Sequence, residues 1–203
     1  MLSKFLTSKY AAFIFDCDGT IADNMGIYYR AWNRAIAACG GREPIGWEAF
    51  RASGGRCLRE TVGEYNSDSG SNLDPDRLMA VMEEHVQELL PEFKPIVPVV
   101  ELIRREKKRP MAVASAGRRE SVEFVLDKIG IRGCFKAVVT REDVRFAKPA
   151  PDLFLKASEL IGVEPKQCIV FEDSPLGEEA AKSIGMACHR IPYDWWDPKL
   201  REG

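Results

Sequence analysis

Four short stretches of this chain end an apolar run in residues able to do chemistry. Phe13-Ile14-Phe15 runs into Asp16-Cys17-Asp18-Gly19-Thr20, and Met111-Ala112-Val113-Ala114 into Ser115-Ala116-Gly117. Cys168-Ile169-Val170-Phe171 runs into Glu172-Asp173-Ser174-Pro175, and Lys148 stands in Phe-Ala-Lys-Pro. Alternate residues of an extended chain share a side, so Asp16 and Asp18 project together. Gathered in one crevice, these groups supply a hydroxyl, an ammonium and four carboxylates. Acids alone would repel a phosphate dianion, by roughly 4 kcal/mol per charge pair about 4 Å apart at an effective dielectric near 20. A divalent cation reverses that sign, and Lys148 adds a second positive charge. Carboxylate oxygens suit Mg²⁺ better than zinc. The octapeptide 13–20 therefore predicts a metal site with a nucleophile or base beside it.

The elements that must position these groups follow from apolar spacing. Short apolar runs predict strands at 11–15, 111–115, 137–139, 168–171 and 187–190. Helical spacing predicts helices at 97–107, 118–129, 151–161 and 174–184; Val122, Val125, Leu126 and Ile129, for example, share one face. Alternation of this kind predicts an α/β fold, a parallel sheet flanked by helices, with its ligands at the carboxyl ends of the strands. Residues 23–94 break the pattern. They read as helices at 28–39, 47–52, 56–66 and 75–90 with a polar loop over 67–74, and no strand. The domain reading is thus an α/β core made of 1–22 and 95–203, with an all-helical insert over 23–94.

Composition narrows the function classes. The 203 residues carry 29 Lys and Arg against 31 Asp and Glu, a net charge of −2. That balance offers no bulk attraction to nucleic acid or to an anionic membrane. No stretch approaches the roughly 18 apolar residues of a membrane span, and the first ten residues lack a secretory h-region. Six cysteines, with no metal-ligand spacing, and two histidines speak against zinc. The cysteines read as reduced thiols and the protein as cytoplasmic.

Asp-x-Asp-Gly-Thr, Ser115, Lys148-Pro149 and Glu172-Asp173, in this order, resemble the haloacid dehalogenase (HAD) superfamily over essentially the whole chain. The resemblance implies a Rossmann-like core with a four-helix cap inserted after the first motif. It implies Asp16 as nucleophile through an aspartyl-phosphate, and Asp18 as acid for the leaving alcohol and then base for water. Ser115, the backbone at Ala116, and Lys148 would hold the phosphoryl group. Mg²⁺ would sit on Asp16, the Asp18 carbonyl and Asp173, with Glu172 ligating directly or through water.

Within that superfamily the chain resembles β-phosphoglucomutase-like proteins and the fructose-1-phosphate and 6-phosphogluconate phosphatases. Tyr-Tyr-Arg-Ala-Trp at 28–32 and Lys-Arg-Pro-Met-Ala-Val at 108–113 carry that likeness. Tyr28 stands where the mutase pattern has a histidine. The expectation is therefore a Mg²⁺-dependent phosphatase acting on a small-molecule phosphate ester, a sugar phosphate. A phosphomutase is the alternative; a receiver-type signalling domain or a non-catalytic binding protein fits less well. Arg56 and Arg59 are cap residues that could read the substrate. Trp195 and Trp196 are expected to pin the C-terminal tail to the sheet domain, and the protein to be a monomer or a weak homodimer.

Overall fold

The computed structural model describes residues 9–53, 58–197 and 199. Arg56, Cys57 and the first eight of the ten residues read for a secretory segment lie outside them. The chain divides into two compact units, Met1–Asp23 with Lys94–Trp196, and Asn24–Phe93 with Asp197–Gly203.

The first unit is built on β1 (Ala12–Phe15), β4 (Met111–Ala114), β5 (Ala137–Val139), β6 (Cys168–Glu172) and β7 (Ala187–Arg190). They form one sheet in the order β5-β4-β1-β6-β7, and every pairing is parallel. Strands β1, β4 and β6 are buried throughout, which is why they read as unbroken apolar runs rather than as an alternating pattern. The two faces of β1 differ. Phe13 and Phe15 meet Phe171 on one side, Phe15 stacking on it at 4.6 Å. Ala12 and Ile14 share the other side with Ala112, Ala114 and Val170. These small side chains accommodate the helix α7 (Asp152–Ile161), which buries Leu153, Phe154, Ala157 and Ile161 against them. The helices α5 (Val97–Arg105), α6 (Arg119–Ile129) and α8 (Pro175–Ser183) complete this unit.

Sequence order makes β1 central. The chain leaves β1 toward β4 and β5, then returns to its other side as β6 and β7. The carboxyl ends of β4, β1 and β6 are thus neighbours at the point where strand order reverses, where open α/β sheets bind ligands.

The second unit contains α1 (Met25–Ala38), α2 (Trp47–Ala52), α3 (Leu58–Ser69) and α4 (Pro75–Leu89). Its core gathers Trp32, Ala35, Ile36, Phe50, Val62, Tyr65, Leu73 and Leu78. Besides the start of α1 at Met25 rather than 28, two differences from the sequence reading appear here. The expected loop at 67–74 begins later, because α3 runs on to Ser69, whose hydroxyl donates to the Tyr65 carbonyl at 2.7 Å. Gly70, at φ 64, follows it. The second difference is a pair of two-residue strands, β2 (Ala22–Asp23) and β3 (Lys94–Pro95), joined antiparallel where the insert leaves and re-enters the sheet unit. Two residues are too short to show a period. Among the described residues no helix is long and apolar enough to cross a membrane, and no disulfide joins cysteines 17, 39, 134, 168 and 188.

Candidate active site

The sheet's hydrogen bonding continues one residue past β1 and β4. The Asp16 amide donates to the Phe171 carbonyl at 2.9 Å, and the Ser115 amide to the Val139 carbonyl at 3.0 Å. This fixes the backbone of both residues at the carboxyl edge. Glu172 closes β6, and its carbonyl accepts from Ile191 at 2.8 Å.

Lys148 arrives from the connection after β5, with a cis peptide to Pro149. Its ammonium donates to Asp16 Oδ1 at 2.5 Å and to Glu172 Oε2 at 2.7 Å, and lies 5.1 Å from the centre of the Phe154 ring. The lysine is 4% exposed, Asp16 5%, Glu172 1% and Asp173 6%. Residues separated by up to 157 positions in sequence thus form one buried ionic cluster.

Glu172 is held from two sides. Besides Lys148, its Oε1 accepts from the Ser174 amide at 3.1 Å and from the Ser174 hydroxyl at 2.7 Å. The same hydroxyl accepts from the Gly177 amide at 3.1 Å and so caps α8, with Pro175 in the first turn. The sequence marked Ser174-Pro175 as a helix start; nothing in it marked the serine as the residue that grips the glutamate. Gly177 is part of the same fit, since a Cβ there would stand 2.2 Å from the Glu172 carboxyl carbon.

Asp18 is partly exposed. Its Oδ2 accepts from the Ser115 hydroxyl at 3.4 Å, and that hydroxyl accepts from the Gly117 amide at 2.9 Å. Ala116, half-buried, leads into this turn and packs against the core. Gly19 adopts φ 75, and a Cβ there would meet Asp173 Oδ2 at 2.7 Å and the Trp196 ring at 2.9 Å. A side chain at 19 would therefore be strained in backbone and blocked in space. The structure brings Asp16, Asp18, Ser115, Lys148, Glu172 and Asp173 to one edge of the sheet. Arg59 lies in the helical unit, where its exposed guanidinium pairs with Asp76 at 2.6 Å.

The charges do not balance. Burial pushes the Asp16 carboxyl well above the usual carboxylate range, and the Glu172 charge adds to this; Lys148 offsets only part. Burial, then Glu172, raises Asp173 in the same way. Burial works against the Lys148 ammonium, but Asp16 and Glu172 outweigh it and hold the lysine charged. One oxygen each from Asp16, Glu172 and Asp173 lie within 4.8 Å of one another. Hard donors with uncompensated negative charge are what Mg²⁺ requires, so the residues present fit that ion. Glu172, already accepting from Lys148 and Ser174, is the most occupied of the three.

A family model described as haloacid dehalogenase-like hydrolase matches residues 10–185. The fructose-1-phosphate phosphatase YqaB of Escherichia coli K12 is 34% identical over 180 residues, 88% of this chain and 94% of its own length. An uncharacterized protein of Haemophilus influenzae is 32% identical over 204 residues, covering 100% of this chain and 98% of its own. Among solved structures, CbbY from Rhodobacter sphaeroides in complex with phosphate superposes with a TM-score of 0.79 at 25% identity, covering 91% of this chain and 88% of that one.

Proposed function

Because the chain belongs to the haloacid dehalogenase-like hydrolase family, we propose that it hydrolyses the phosphate monoester of a small phosphorylated sugar through a covalent aspartyl-phosphate. The observation that carries this reading is the buried contact of Asp16 with Lys148, 2.5 Å, beside Asp173 and Glu172. A carboxylate held against a permanent cation, in a cluster still short of positive charge, is suited to meet a phosphoryl group.

The proposed roles follow from position. Asp16 attacks phosphorus while the ester P–O bond breaks, and Asp18 gives its proton to the departing alcohol. Water then attacks the aspartyl-phosphate, Asp18 takes the proton, and the bond from phosphorus to Asp16 breaks to release phosphate. Splitting one displacement into two lowers each barrier, and an acid beside the leaving oxygen avoids expelling an alkoxide. Lys148, the Ser115 hydroxyl and the Ala116 backbone hold phosphoryl oxygens, and the Ser115 contact also fixes Asp18. Asp16, Asp173 and the Asp18 carbonyl would hold Mg²⁺, with Glu172 contributing directly or through water. When bound, that ion supplies the charge neutralisation that lets one anion approach another.

Asn24–Phe93 is assigned the reading of the leaving group, with Arg56 and Arg59 as its candidate contacts. The family resemblance and the fructose-1-phosphate phosphatase among the relatives support a sugar phosphate as substrate. Hydrolysis is preferred to phosphomutase chemistry, for which Tyr28 in place of a histidine is a poor fit. We further place the protein in the cytoplasm, as a monomer or weak homodimer.

The test is a panel of phosphate esters with purified protein and Mg²⁺, read as released phosphate. Sugar phosphates should be turned over and free phosphate should accumulate. Release from none of the esters sinks the reading. Conversion of glucose 1-phosphate to glucose 6-phosphate, primed by glucose 1,6-bisphosphate and without net phosphate, replaces it with the mutase.

A further inference from the structure

Beyond β7 the chain crosses back to the acidic loops. Trp196 is 5% exposed, and its indole N–H donates to the Gly19 carbonyl at 2.9 Å. The Gly19 amide donates to the Ala22 carbonyl at 2.8 Å, so Gly19, within the Asp16–Thr20 turn, is held through both its amide and its carbonyl. The ring of Tyr193 meets Trp196 edge-on at 4.8 Å. The Tyr193 hydroxyl accepts from Arg190 at 3.0 Å, and the same guanidinium nitrogen donates to the Asp173 carbonyl. The other terminal nitrogen of Arg190 binds Glu178 at 3.2 Å. Arg190, Tyr193 and Trp196 thus link the backbone carrying Asp173 to the backbone carrying Asp16 and Asp18.

We propose that Trp196, backed by Tyr193 and Arg190, is a positioning residue that sets the spacing of the two acidic loops, and so the affinity of the site for its divalent ion. This rests on the phosphatase reading and extends it to a segment outside the four strand-end clusters. Three features favour positioning over simple anchorage of the tail. The indole reaches a main-chain oxygen of the catalytic turn rather than the sheet's apolar face. It occupies the space beside Gly19 that also borders Asp173 Oδ2. And both ends of the linkage bind carbonyls of residues at the two loops, whose carboxylates repel one another without a cation. A hydrogen bond of this kind contributes about 1 kcal/mol, and only the part of it that holds the loops at the ion-binding spacing passes into affinity, so its loss should weaken ion binding by up to about fivefold.

The experiment is calorimetric titration of the full-length protein with Mg²⁺, alongside thermal unfolding without metal and turnover of a phosphate ester over a range of Mg²⁺ concentrations. Trp196→Phe keeps apolar bulk and removes the donor. Tyr193→Phe keeps the ring and removes the acceptor for Arg190. Trp195→Phe is the control on the same segment. The proposal expects Mg²⁺ affinity about twofold to fivefold weaker in W196F and about twofold weaker in Y193F. Saturating Mg²⁺ should restore most of kcat, and W195F should match the wild type. A lower Tm with unchanged Mg²⁺ affinity in W196F, or, if W196F does not fold, unchanged affinity in Y193F, overturns it and leaves these residues as tail anchors. Wild-type protein that binds no Mg²⁺ or releases no phosphate removes the underlying reading instead, and the proposal with it.

Discussion

At the scale of single residues, one buried ammonium is shared by two acids. Lys148 lies 2.5 Å from Asp16 and 2.7 Å from Glu172, all three buried. Removing one member of such a group leaves uncompensated charge in a poorly solvated place. Lys148→Ala is therefore expected to cost about 3–5 kcal/mol of stability as well as activity, measured by urea unfolding of the metal-free protein. A loss under about 1 kcal/mol would mean that the acids are solvated and the cluster looser than described. This residue also illustrates what the sequence made legible. A lone lysine before proline reads most simply as a surface residue, and only its order among Asp16, Ser115 and Glu172 pointed inward. Its pairing with Glu172, and the Ser174 grip on the far side of that glutamate, depend on side-chain paths that no spacing rule encodes.

At the scale of elements, the strands and most helices were readable because their apolar residues are buried in registers that sequence period reflects. All five sheet strands lie within a residue of their expected bounds. What escaped was set by contacts rather than period: the two-residue ladder at the root of the helical insert, the last turn of α3, and the hydrogen bond by which Trp196, expected only to pin the tail to the sheet unit, reaches the Gly19 carbonyl. Gly177 belongs with these. It sits in the first turn of α8, where glycine would ordinarily be a weak choice, yet a methyl group there would collide with the Glu172 carboxyl. Gly177→Ala should therefore destabilise the protein by about 1–3 kcal/mol despite alanine's helix propensity. It should also lower kcat by displacing Glu172 and Lys148. Thermal unfolding and steady-state kinetics check this; a variant as active as the wild type and more stable would show that Glu172 has room to move.

At the scale of the whole molecule, the charge excess at the sheet edge couples folding to pH and to metal. Asp16 and Asp173 are raised above the ordinary carboxylate range by burial and by Glu172. A folded-state pKa above the unfolded value means the folded chain holds the extra protons. The contribution of these groups to stability therefore falls as pH rises above about 4. Lys148, raised in the folded state, contributes constantly in this window, since its contribution is lost only above about 10. Mg²⁺ should accordingly raise Tm more at pH 7.5 than at pH 5, and an equal or smaller shift at pH 7.5 would contradict the charge balance described. Chemical trapping tests the covalent step at Asp16. Wild-type protein is mixed with Mg²⁺ and a turned-over phosphate ester, quenched within milliseconds, reduced with borohydride and mapped by peptide mass. An aspartyl-phosphate at position 16 would be converted to homoserine there, and Asp16→Asn should yield neither homoserine nor phosphate. Phosphate release from Asp16→Asn at a rate near that of the wild type, or homoserine at a different aspartate, would rule out Asp16 as the nucleophile.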